Sequence, residues 1–315
     1  MFRRKTEGLI AAPFTPMRAD RTLNLDAVDD YARWLRHIGV VGAFICGTTG
    51  ESMSLTVGER RQLAERWVAS AADGPRVIVH VGHNSLPDCL ELAAHAQSIG
   101  ADSIACMAPF FFKPAGVEGM VAWCEQVAAA APRLPFYYYH IPSMTGLSID
   151  VSEFLKAASG RIPNLAGIKF TSDDWDDLQR CLQIEDGRFD VLSGRDELLL
   201  TALKLGVRGA VGSTYNYAAP LYQALIAAFD CGDQARAAEL QAVASMMIDL
   251  LIQCGTQPLA AFKWFMSEVG VDCGPVRLPL AELTAGQIAS LHARLETTGI
   301  HSWLKPRPPA TRCEP

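Results

Sequence analysis

Lys169 interrupts the run Leu165-Ala166-Gly167-Ile168-Lys169-Phe170, which otherwise reads as a strand buried on both faces, and it is one of only seven lysines in the chain. A buried ammonium is costly to desolvate, and the neutral amine is the nucleophile that Schiff-base chemistry needs. Its position alone fits equally well a strand-end lysine that snorkels to solvent or pairs with a carboxylate. Tyr139 ends the preceding apolar run, thirty residues earlier. One βα unit would then set its phenol beside the lysine, where it could pass a proton. Tyr137 and Tyr138 in the same run read as ordinary strand packing, because aromatic residues favour strands.

Other run ends carry polar groups that could bind. Gly47-Thr48-Thr49-Gly50-Glu51 offers backbone N–H groups and two hydroxyls, which suit a carboxylate. Thr48-x-x-Glu51 also fits a helix capping box, but Thr56-Val57-Gly58-Glu59 directly precedes Arg60-Arg61-Gln62-Leu63 and is the better helix start. Asp196 and Glu197 follow Gly194 and offer acceptors for the hydroxyls of a polyol, although adjacent acids opening a helix also serve as dipole partners. His80 and His83 resemble a metal pair; at i and i+3 on a strand their rings would face opposite sides, and no third ligand accompanies them. No metal site is expected.

These ends belong to eight short apolar runs: Gly8 to Ala12, Gly42 to Cys46, Arg76 to Val81, Ser103 to Met107, Pro135 to Tyr139, Leu165 to Phe170, Phe189 to Ser193 and Gly209 to Gly212. They start roughly 20 to 35 residues apart, with Ala- and Leu-rich helical stretches between them, which is room for a βαβ crossover each time. The pattern predicts an α/β fold, a (β/α)8 TIM barrel, whose active site lies at the C-terminal ends of the strands. A doubly wound sheet is the alternative, but no G-x-G-x-x-G follows the first run. The barrel is expected over residues 1–217, a C-terminal helical extension over 218–300, and a loose Pro- and Arg-rich tail over 301–315.

Half of the 315 residues are hydrophobic, enough for a full-sized core, and the net charge of −6 provides no basic footprint for nucleic acid or anionic lipid. Pro13 and Pro16 break the apolar stretch after the basic start, and no apolar run approaches a membrane span. Nine cysteines are scattered without a C-x-x-C pair, and several (Cys46, Cys106, Cys181) sit in apolar patterns, as free thiols do in a reducing compartment, so a cytoplasmic protein is expected.

Taken together, Gly47-Thr48-Thr49-Gly50-Glu51, Tyr139-x-x-Pro142 and Gly167-Ile168-Lys169 resemble the pyruvate-dependent aldolase superfamily of dihydrodipicolinate synthase and N-acetylneuraminate lyase, over about Gly8 to Leu295. Three stretches look most like the animal-type lyase branch: Pro135 to Pro142, Gly209 to Tyr217, and Arg277-Leu278-Pro279-Leu280. The resemblance implies that Lys169 forms the Schiff base, that Tyr139 transfers the proton, and that Thr48 and Thr49 bind the pyruvate carboxylate. It further implies that Thr171, Gly194, Asp196, Glu197 and Ser213 contact the sugar portion of the substrate.

Two departures point away from the synthases. Their arginine two residues after the Tyr-x-x-Pro proline is Met144 here, and a thioether cannot replace a guanidinium fork for a carboxylate. The synthase tyrosine lent by a neighbouring subunit corresponds to Pro109-Phe110-Phe111-Phe112, which has no hydroxyl. Arg195 is unusual for the lyases and leaves room for a more acidic sugar acid.

By resemblance the expected reaction is aldol cleavage of N-acetylneuraminate to pyruvate and N-acetylmannosamine, by a homotetramer without metal or organic cofactor. The alternatives are a 2-keto-3-deoxy sugar acid aldolase or a dihydrodipicolinate synthase-like enzyme. A non-catalytic sugar-acid binding protein would need neither Lys169 nor Tyr139.

Overall fold

A computed structural model of the chain describes residues 5–71, 74–255 and 257–304. The eight apolar runs are strands: β1 (Gly8–Ala11), β2 (Gly42–Ile45), β3 (Arg76–His80), β4 (Ser103–Met107), β5 (Phe136–His140), β6 (Leu165–Phe170), β7 (Asp190–Ser193) and β8 (Gly209–Gly212). They pair in parallel in sequence order, and β8 returns to β1 to close the predicted barrel.

Helices α1 (Ala27–His37), α2 (Val57–Ser70), α3 (Leu86–Ser98) and α4 (Gly116–Ala129) link the first five strands. A short α5 (Pro142–Thr145) precedes α6 (Val151–Ser159), followed by α7 (Trp175–Gln183) and α8 (Leu199–Lys204). The remaining helices are α9 (Tyr215–Asp230), α10 (Gln234–Gln253), α11 (Pro258–Trp264) and α12 (Ala285–Glu296).

Local sequence explains how these helices begin and which face they bury. In α1, Val28, Tyr31, Ala32 and Leu35 are buried at helical spacing, with acids in the first turn and Arg36 and His37 in the last. The start of α2 is the box expected at Thr56 and Glu59, with both reciprocal hydrogen bonds formed.

Side-chain alternation along the strands produces two cores. One fills the barrel and includes Ile10, Phe44, Ile78, Met107, Tyr139 and Val211; the other lies between the strands and the helices. Tyr138 faces the outer core, 4.5 Å from the Phe154 ring, whereas Tyr137 and Tyr139 belong to the inner one.

The helical extension does not begin at a break in the chain. Helix α9 runs from Tyr215 through the expected 217/218 boundary, because Pro220 bends it at Ala218 instead of ending it. Helix α10 then packs beside α9 and reaches the turn after β7, where Gln241 donates to the Asp196 carbonyl (3.2 Å) and Ser245 to that of Glu197 (3.2 Å). Ile300 and Leu304 are buried, so the chain stays packed past the point where the tail was expected; residues 305–315 of that tail lie outside the described residues. Among the described residues no single helix is long and apolar enough to cross a membrane.

Candidate active site

Lys169 stands on β6 directly opposite Tyr139 on β5, the two being register partners in the parallel ladder. The lysine is only 5% exposed, and its Nζ lies 4.1 Å from the Tyr139 ring centroid and 4.4 Å from that of Phe44. Among the described residues no carboxylate forms a salt bridge with it. Of the readings left open by the sequence, neither the snorkelling nor the ion-paired lysine is what the structure contains. The faces of these two rings flank the Lys169 nitrogen and fix its position.

The Tyr139 hydroxyl lies 3.4 Å from Thr48 Oγ1. Its ring meets Phe44 edge-on at 5.5 Å and His80 at 5.8 Å, so packing fixes the direction in which the phenol points. His80 and Phe44 are neighbours of Lys169 and Tyr139 that the motifs did not reveal. The inward alternation that selects Tyr139 and Lys169 would have selected them too.

Burial, and after it the Arg60 guanidinium, push the His80 pKa well below the usual imidazole value, so this ring stays neutral. Its Nδ1 lies 2.8 Å from the Cys46 carbonyl and, in a neutral ring, must donate to it; Nε2 then has no partner among the described residues. Strand β3 ends at His80, so the strand geometry invoked for the histidine pair does not extend to His83. That ring lies in the following turn, where Nδ1 accepts from the Ser85 N–H (3.1 Å). Among the described residues no group of three or more His, Cys, Asp or Glu side chains is placed to hold a metal ion.

After β2 the chain turns tightly, with Cys46 and Glu51 both at φ 55°. The Glu51 N–H donates to the Thr48 carbonyl (3.0 Å) and the Thr15 hydroxyl to that of Gly50 (2.6 Å). Thr48 and Thr49 are half-buried on this turn. Glu51 precedes a single 3-10 turn (Ser52–Ser54), but its side chain makes no capping hydrogen bond; its carboxylate accepts from Lys263 and from the Arg277 N–H (2.7 Å) instead.

The other candidates occupy the ends of three adjacent strands, β6, β7 and β8. Thr171 donates its N–H to the His140 carbonyl (2.8 Å), and its hydroxyl is buried without a partner among the described residues. Gly194 packs so closely that a Cβ would overlap Thr171 Oγ1. Ser213 is half-buried at the rim beyond β8.

Asp196 is 5% exposed, and its Oδ2 accepts from the Thr214 hydroxyl (2.6 Å) and N–H (2.9 Å). Burial pushes its pKa up to about 6, against the opposing pull of the Thr214 hydrogen bonds and, more weakly, of the Lys169 charge. Glu197 is more open, and one of its oxygens accepts from Arg195 Nε at 2.7 Å. Sequence reading anticipated both acids, but neither the grip of Thr214 nor the pairing with Arg195.

An amine and a phenol in register, hydroxyls on one side and hydroxyls with carboxylates on the other, form an arrangement suited to carbonyl chemistry on a polyol acid. The family model described as the dihydrodipicolinate synthetase family matches residues 5–298. N-acetylneuraminate lyase of Rattus norvegicus is 41% identical over 305 residues, covering 96% of this chain and 95% of that protein. N-acetylneuraminate lyase A of Xenopus laevis is 44% identical over 282 residues, covering 88% and 91%. The structure of the Proteus mirabilis N-acetylneuraminate lyase superposes with a TM-score of 0.91 at 44% identity, covering 94% of this chain and all of that one. The chain belongs to the dihydrodipicolinate synthetase family.

Proposed function

We propose that this protein is a carbon–carbon lyase that cleaves N-acetylneuraminate to N-acetylmannosamine and pyruvate through a Schiff base on Lys169. The observation that carries this reading is the buried Lys169 amine, register-paired with Tyr139 and without a carboxylate partner among the described residues. The near full-length likeness to N-acetylneuraminate lyases supports the choice of substrate.

The Lys169 amine attacks the C2 ketone of the open-chain sugar acid, and loss of water leaves an iminium ion. Tyr139 relays the C4 hydroxyl proton, passing its own phenolic proton to the substrate carboxylate as it accepts the new one. The C3–C4 electron pair moves into the iminium nitrogen as N-acetylmannosamine leaves, and the resulting enamine takes a proton at C3. Hydrolysis releases pyruvate and restores the amine. Thr48 and Thr49 hold the carboxylate, while Thr171, Gly194, Asp196, Glu197 and Ser213 form the sugar side.

A more acidic sugar would need a cation to receive it, and Arg195 is already paired with Glu197, which favours the uncharged N-acetylmannosamine portion. Buried free thiols, such as Cys46, Cys106 and Cys181, support a cytoplasmic location. Exposed Phe111 and Phe112, beyond β4, support assembly into a homotetramer, which light scattering would test.

Borohydride reduction in the presence of pyruvate tests the chemistry. It should inactivate the protein and leave a reduced pyruvate adduct on the peptide containing Lys169. An adduct confined to another lysine, or no pyruvate release from N-acetylneuraminate, would overturn the reading.

A further inference from the structure

A second cavity, of about 360 Å³, opens at the end of the barrel opposite Lys169, where the strands begin. Arg76 opens β3 and Asp190 opens β7 at its wall, Tyr137 lies just above the start of β5, and Lys5, Arg133 and Arg188 also line it. Of the four cations that line it, Arg188 is already held by Glu185 (2.6 Å), which leaves Lys5, Arg76 and Arg133 facing the lining carboxylates Asp102 and Asp190 in a chain whose net charge is −6.

The balance of hydrogen bonds sharpens this excess. Arg76 donates to a neutral partner, the Thr6 hydroxyl (3.0 Å). Among the described residues neither Arg76, Lys5 nor Arg133 forms a salt bridge with a carboxylate. Asp190 is the buried acid of the wall, and its Oδ2 already accepts from the Thr6 N–H (3.2 Å), the Thr6 hydroxyl (2.7 Å) and the Tyr137 hydroxyl (3.0 Å).

We propose that this cavity is a binding site for a small multivalent oxyanion, a compound with clustered phosphate or carboxylate groups, separate from the carboxylate-binding turn at Thr48 and Thr49. Guanidinium groups pair with such oxygens in bidentate fashion, and a recessed wall of low dielectric strengthens the attraction. At about 30 Å³ per water molecule the space equals roughly a dozen waters, enough for a diphosphate or a tricarboxylate.

Isothermal titration of the full-length protein with inorganic pyrophosphate and, separately, with citrate tests the site, with saturating pyruvate present throughout to occupy the opposite mouth. One saturable site should appear, weakening as salt is added. Lys5→Gln combined with Arg133→Gln should weaken it about tenfold or more, and both side chains are exposed, so the fold is unaffected. Arg76→Gln should weaken it as well. The two probes distinguish a phosphate from a carboxylate preference. No saturable binding of either probe in the presence of pyruvate, or binding undiminished in both variants, would overturn the proposal.

Discussion

Lys263 donates to Glu51 Oε1 at 2.8 Å across 212 residues of sequence, with the two side chains 1% and 0% exposed. The same ammonium donates to the Pro275 carbonyl (2.6 Å), and the other Glu51 oxygen accepts from the Arg277 N–H (2.7 Å). The helical extension thus grips the turn that carries Thr48 and Thr49. Arg277 adds a second clasp by donating to Glu59 Oε1 (2.8 Å) and Oε2 (2.9 Å).

Lys263→Met should therefore do more than remove one contact, because it leaves the Glu51 carboxylate buried and uncompensated. Breaking one side of such a pair costs about 3–5 kcal/mol, which urea unfolding would record. Adding Glu51→Gln should recover part of the loss. A single variant as stable as the parent would mean that the ion pair contributes nothing.

Tyr139→Phe keeps the ring that packs on Phe44 and His80 but removes the hydroxyl near Thr48. The kcat for N-acetylneuraminate cleavage should fall ~10²-fold or more, while borohydride trapping of pyruvate on Lys169 persists. Normal turnover in this variant would remove the phenol from the mechanism.

Asp196 should impose a pH dependence on both stability and sugar binding. Its pKa is raised to about 6 from 3.8, so the native state holds this proton more tightly than the unfolded chain does. Stability from this group is therefore fully present below about pH 4 and is lost as the pH rises through about 6. Asp196→Asn removes that dependence, so urea unfolding should show the variant gaining on the parent across this window. For the parent enzyme the sugar KM should rise as the pH falls below about 6, because the protonated acid is a poorer acceptor. Parallel pH profiles for the two proteins would count against the assignment.

Gly194→Ala should act through Thr171, whose hydroxyl the new methyl would overlap. We expect a raised KM for the sugar acid, and a smaller additional effect when Thr171→Ala is already present, since the colliding oxygen is then gone. A double-mutant cycle measures this coupling, and strict additivity would show that the two positions do not communicate.

By itself the sequence determined where the strands lie and which strand ends carry polar groups suited to chemistry. Strands buried on both faces are written as short apolar runs, so β1 to β8 fall within a residue or two of those runs. Lys169 was legible because a charge in such a run is expensive, and Tyr139 because it stands one βα unit earlier near a strand end. The box at Thr56 and Glu59 was legible because its partners are three residues apart.

Only the tertiary structure decided what depends on closing the barrel. His80 against Tyr139, Thr214 on Asp196 and Lys263 on Glu51 are pairings between separate elements, and no local pattern encodes which elements will meet. The course of α9 through the expected boundary depended on packing that tolerates Pro220 as a bend. Local periodicity fixes which face of an element is buried, but the partner on that face is set by strand register and helix packing, which exist only once the ring of eight strands has closed.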